Sequence, residues 1–176
     1  MSRPELSLFS YEILGLVGRE GVGAHDLLQM AKRGRILDWA GESQYYVEPK
    51  RLAKLGYLEA RKMPGKTRPR TVYSLTDQGL QALRDYAATP VSLTPIKSEP
   101  LLRLLIADLV GEEVTRESLG TLRADIADLR VRVAEQRASA RELPHREKYL
   151  TIVMGFLDEL LDLHERYVDE VDQKLR

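Results

Sequence analysis

The chain has 176 residues, 27 of them basic and 27 acidic, so its formal net charge is zero. Hydrophobic residues make up 43% and charged ones 31%, a balance that excludes wholesale disorder. There is no cysteine, which excludes a disulfide framework, a thiol nucleophile and a cysteine-ligated metal centre.

The first 87 residues read as short elements. Phe9, Ile13, Leu16 and Val17 share one face of a helix. Gly18, Gly21 and Gly23 mark a turn, and a second helix follows from Ala24 to about Lys32, with Leu27, Leu28 and Ala31 inward. Residues 34–41 are less regular and hold the single tryptophan, Trp39. A third helix starts near Ser43, a natural N-cap, and stops at Gly56. Pro49 lies inside it and predicts a kink or break, with Glu48 as an alternative cap. Tyr57–Met63 and Thr71–Leu75 read as two strands of a hairpin, and Thr76 caps a helix to about Ala87.

Residues 88–100 contain three prolines and read as a linker. Pro100 opens an apolar helix, Leu101–Val110, which Gly111 closes. Beyond it, Leu119, Leu122, Ile126, Leu129 and Val133 are spaced 3, 4, 3, 4. After a break at Leu143-Pro144, Leu150, Met154, Leu157, Leu161, His164, Val168, Val171 and Leu175 continue the alternation of 4 and 3. This is a heptad seam on two long helices, joined as an antiparallel hairpin. Each seam is narrow, so a partner chain is expected to cover it and form a homodimer. The acids around the last seam, Asp158 to Asp172, read as its solvated face.

No apolar run reaches the roughly 20 residues that span a bilayer, since Arg103 and Asp108 interrupt the longest. The start lacks the order of a signal peptide. A soluble, cytoplasmic protein with no membrane partner is expected. Charge is unevenly placed: residues 1–90 carry 14 basic and 10 acidic groups, and residues 91–176 carry 13 and 17. Between Lys50 and Arg70 eight basic residues face one acid, Glu59, a pattern that attracts a polyanion. No phosphate-binding glycine loop, serine nucleophile elbow or zinc-binding helix motif occurs, so an enzyme is not expected. His25, His145 and His164 are too scattered for a metal site, and no cofactor is implied.

Three helices, a hairpin with a basic tip and a further helix are the order of a winged helix-turn-helix. The expected fold is mainly α with a small β-hairpin: a winged-helix DNA-binding domain over 1–88, a linker over 89–100 and a coiled-coil-like dimerisation domain over 101–176. At this level the chain resembles the PadR-type transcriptional regulators. Ile13-Leu14-Gly15-Leu16-Val17 is similar to that family's opening run, and Gly23-Ala24-His25-Asp26-Leu27 to its second helix. Ser43 to Tyr46, Lys50-Arg51-Leu52 and Leu55-Gly56-Tyr57-Leu58 are similar to its third helix and exit. Arg68 to Thr76 and Gly79 are similar to its wing and the helix after it.

The resemblance implies a dimeric regulator, a repressor, bound to a double-stranded DNA operator with half-sites roughly 34–36 Å apart or a multiple. It also implies a small planar or aromatic effector, with Trp39 as a stacking candidate. The candidate DNA contacts are His25, Ser43, Gln44, Tyr45, Tyr46, Lys50, Arg51, Lys54, Lys66, Arg68 and Arg70. Glutamine bonds adenine bidentately, Ser and Tyr reach bases or phosphates, and a basic wing tracks the backbone. One of the two tyrosines is expected in the core. The candidate dimer seam is Leu119, Leu122, Ile126, Leu129, Leu150, Met154, Leu157, Leu161, His164, Val168, Val171 and Leu175. The alternative is a protein-interaction adaptor with no specific DNA binding.

Overall fold

The computed structural model describes residues 6–33, 40–65, 69–93 and 95–175. The chain divides into two compact units, residues 1–92 and 93–176.

The first unit holds α1 (Leu8–Val17), β1 (Val22–Gly23), α2 (Ala24–Arg33), α3 (Gln44–Lys54), β2 (Leu58–Met63), β3 (Arg70–Leu75) and α4 (Asp77–Ala87). Ser7 and Ser10 cap α1 reciprocally, each hydroxyl accepting from the other residue's N–H at 3.0–3.1 Å. The buried face of α1 is wider than the one expected. Ser10 and Leu14 are buried with Ile13 and Val17, while Phe9 and Leu16 sit at the margin. The reason is that α1 touches α2, α3, α4 and β3, so it is covered from several sides. Leu27, Leu28, Leu52, Tyr57, Leu58 and Tyr73 complete the core.

The sheet has three antiparallel strands in the order β1-β3-β2, where the sequence predicts a two-stranded hairpin. The added strand is two residues long, with Val22 opposite Tyr73 and Gly23 opposite Val72. Along the wing, Leu58 pairs with Leu75 and Met63 with Arg70. Gly56 adopts φ +82°, the left-handed conformation that ends α3 as expected. Thr76 caps α4, accepting from the Gly79 N–H at 3.1 Å and donating to the Gly56 carbonyl at 2.7 Å.

The second unit is helical: α5 (Glu99–Leu105), α6 (Ala107–Val110), α7 (Glu112–Gly120), α8 (Leu122–Ala140) and α9 (Pro144–Lys174). Ser98 caps α5 and Pro100 lies in its first turn. The single helix expected over 101–110 is interrupted at Ile106, whose backbone leaves the helical region at φ −106°, ψ 9°. The first long helix is likewise divided, at Thr121. The break at Leu143-Pro144 stands where the sequence puts it, with Pro144 opening α9. Among the described residues no helix is long and apolar enough to cross a membrane.

α8 and α9 pair antiparallel, and the heptad seam lies between them. Leu119, Ile126, Val133 and Ala140, seven residues apart, are buried with Met154, Leu157, Leu161, Val168 and Val171. Leu122, Leu129, Leu150, His164 and Leu175 are half-buried along the same line. The seam named above as a dimer contact is therefore already covered within one chain. His164 donates from Nδ1 to the Leu160 carbonyl at 2.7 Å.

The acids of α9 stand on a solvated face, as read, and most of them are also paired there with arginines of α8. Arg123 reaches Asp169 and Asp172 at 2.7 and 2.6 Å, and Arg130 reaches Asp162 and Glu165 at 2.5 and 2.8 Å. Arg137 pairs with Asp158. The three arginines are seven residues apart, so they form one row beside the seam and fix its register.

Candidate nucleic-acid interface

The third helix, α3, starts with a tight turn. Gln44, Tyr45 and Tyr46 donate their N–H groups to the carbonyls of Gly41, Glu42 and Ser43 at 2.9, 3.2 and 3.1 Å. Ser43 is already helical (φ −61°, ψ −29°), and its side chain makes no cap, contrary to expectation. The preceding carbonyls have satisfied the donors that a cap serves. Pro49 does not break the helix. Its ring is fully buried, and contacts of α3 with α1, α2 and β2 hold the helix through it. Glu48 accordingly caps nothing.

α3 has two faces. Tyr45, Glu48, Pro49 and Leu52 point inward. Ser43, Val47, Lys50 and Lys54 are exposed in the spacing 4, 3, 4, with exposed Gln44 and Tyr46 beside them. Lys50 and Lys54 meet no acid among the described residues. Such a face, cationic and free of acids, fits a polyanion.

The two tyrosines separate cleanly. Tyr45 is only 3% exposed, packs edge-on against Phe9 at 5.0 Å and donates its hydroxyl to Glu12 Oε1 at 3.1 Å. It is the core tyrosine, which removes it from the outward set. Tyr46 is 39% exposed, and its hydroxyl lies 3.4 Å from Nδ1 of exposed His25, joining α2 to α3 on the outer side.

Arg51 is held inward by Glu48, through Nε at 2.8 Å and Nη2 at 2.7 Å. Glu48 also accepts from the buried Ser10 hydroxyl at 2.7 Å, and Arg51 Nη2 donates to that hydroxyl at 3.2 Å. The Arg51 hydrogen bonds hold the Glu48 carboxyl below its usual range, against the opposing effect of burial. Sequence reading missed this three-residue network, because Ser10 is far in the chain from Glu48 and Arg51 and Arg51 looks like a surface charge.

On the wing, Arg70 is exposed and its Nη1 lies 3.3 Å from Asp26 Oδ2 of α2. Lys62 is exposed near the far end of β2. Trp39, Lys66 and Arg68 lie outside the described residues. Among the described residues no group of three His, Asp or Glu side chains could hold a metal ion.

Solved structures share this arrangement over nearly the whole chain. PadR from Bacillus subtilis, in complex with operator DNA, superposes with a TM-score of 0.67 at 20% identity, covering 94% of this chain and 99% of that one. The PadR-like regulator BC1756 from Bacillus cereus gives 0.70 at 14% identity, covering 97% and 99%. The chain has the PadR-like fold. The virulence activator AphA of Vibrio cholerae superposes as well, with a TM-score of 0.65 at 17% identity, covering 94% and 95%. The Bacillus subtilis protein is also known in complex with p-coumaric acid, and that structure gives 0.59 at 20% identity over 94% and 99%. No protein-family model and no curated protein matches the sequence.

Proposed function

We propose that this chain is a sequence-specific DNA-binding transcriptional regulator that acts as a dimer and represses by occupying its operator. The observation that carries the reading is the outer face of α3, where Ser43, Gln44, Tyr46, Lys50 and Lys54 stand together with no acid among them. The N-terminal residues of such a helix read base edges, and the lysines farther along hold phosphates. The operator complex of a PadR-like protein with the same fold supports it.

Fluorescence anisotropy of a labelled duplex, with unlabelled competitor and at two salt concentrations, tests the reading. Affinity that survives unrelated competitor and falls steeply with salt is expected. Absence of DNA binding at low salt would leave the adaptor reading in its place.

A planar phenolic effector that lowers operator affinity completes the proposal, supported by the p-coumaric acid complex of a similar protein. A ligand can do this only by preferring the form that binds DNA poorly. Titrating p-coumaric acid into the protein–duplex complex should raise the measured Kd; an unchanged Kd with that compound and related phenols removes this part.

A further inference from the structure

Val47 stands out on the outer face of α3. It is 54% exposed, although the neighbouring Glu48 and Pro49 are buried and the core lies within reach of the same helix. Its companions at spacing 4, 3 and 4 are Ser43, Lys50 and Lys54, all exposed. An isolated exposed valine on a surface needs no explanation in general. This one, however, lies in the first turn of the helix whose N-terminal residues reach base edges, between a hydroxyl and two cations.

Valine has no donor and no acceptor, so it can read a base only by shape and apolar contact. On the floor of the major groove the apolar group is the 5-methyl of thymine. The branched side chain is stiff about χ1, so its methyl groups are held in place and little freedom is lost on contact. The unpaired lysines beside it disfavour an apolar protein partner and favour a polyanion.

From this we infer that Val47 is a specificity-determining residue that seats on the methyl group of a thymine in each operator half-site. The inference rests on the DNA-binding reading above and names one base that reading leaves open.

The test begins with duplexes that the full-length protein itself enriches from a random pool. In the enriched duplex each half-site thymine is replaced singly by deoxyuridine, which removes the methyl and keeps the base pair. Wild-type affinity should fall about three- to five-fold at one position, the effect of one buried methyl group. Val47→Ala should bind the unsubstituted duplex more weakly and show no response at that position. Val47→Thr, which keeps one methyl, should retain part of the response. Val47 is exposed and alanine is the better helix former, so folding does not confound the comparison. Wild-type binding that ignores every deoxyuridine, or a response that Val47→Ala retains in full, overturns the assignment while leaving the DNA-binding reading intact. A pool from which no sequence is enriched overturns that reading and this one with it.

Discussion

Lys50 and Lys54 differ from Arg51 in what already neutralises them. Both lysines point outward without an acid, whereas Arg51 is engaged by Glu48 and Ser10. A cation that gains a phosphate releases counterions, so Lys50→Ala and Lys54→Ala should each weaken binding to all duplexes alike. Each should also reduce the salt slope by about 1. Salt titrations by anisotropy check this, and an unchanged slope would place the lysines off the DNA. Two carboxylates on the contact between α1 and α3 give the residue scale a pH signature of opposite signs. Burial pushes the Glu12 carboxyl up to about 6, against the lowering effect of the Tyr45 hydroxyl. The folded state therefore holds a proton that the unfolded state gives up, and stability from this group falls as pH rises from about 4.5 to 6. Glu48 is depressed, so its contribution is present above the ordinary carboxylate range and is lost as pH falls. Glu12 is partly solvated, and screening reduces its effect to about 1 kcal/mol. Urea titrations should show Glu12→Gln lacking that decline between pH 4.5 and 6; an identical profile for the variant would assign the decline elsewhere.

At the scale of elements, the junction of α3, β2 and α4 is tightly packed at Gly79. A Cβ on Gly79 would lie 2.2 Å from the Tyr57 carbonyl oxygen and 2.7 Å from Leu75 Cδ1. The nearest obstacle is backbone, which cannot turn aside as a side chain can. Gly79→Ala should cost about 3 kcal/mol, the upper part of the range for overpacking. A shift of less than a degree in Tm would show that α4 rides outward freely. This junction was legible in the sequence, because Gly56 and Thr76 are unambiguous stop and start signals. The wing strands and the helical hairpin were legible too, through β-formers and the 3, 4 spacing. Other features were not. β1 is two residues long and carries no periodicity of its own. Tyr45 and Tyr46 are chemically identical neighbours, and only the position of Phe9 and Glu12 decides which goes inside. Pro49 reads as a breaker locally, and the packing of its ring overrides that preference. On the outer face the polar residues announced themselves, whereas Val47, being apolar, carries no local signal that it points outward.

For the whole molecule, the question the heptads leave is which surface meets a second copy. A 3, 4 repeat looks the same whether its partner is another helix of the same chain or a helix of another chain, so the spacing alone could not decide. The structure uses that seam inside the hairpin, and other apolar residues remain open. Tyr149, Ile152, Val153, Phe156 and Leu163 are exposed along α9, and Leu101, Leu102, Leu105, Leu109 and Val110 along α5 and α6. Exposed apolar area on this scale marks an interaction site in a soluble domain. If the regulator is a dimer, as proposed, these residues are the surface to bury, and neighbouring positions on α9 should then respond in opposite ways. Phe156 is 64% exposed and Leu157 only 2%. Phe156→Lys should leave the fold intact and convert the dimer to a monomer, because a charge would be trapped at the contact. Leu157→Ala should cost about 3 kcal/mol of stability through the cavity it leaves in the hairpin, with the oligomeric state unchanged while the protein stays folded. Sedimentation velocity over a range of concentrations, with circular dichroism on the same samples, separates the two effects. A Phe156→Lys protein that remains dimeric would return the contact to some other face of the molecule. A monomer that also fails to bind its operator at concentrations where the wild type does would tie that surface to DNA recognition, since two half-sites held by one dimer bind far more tightly than either alone.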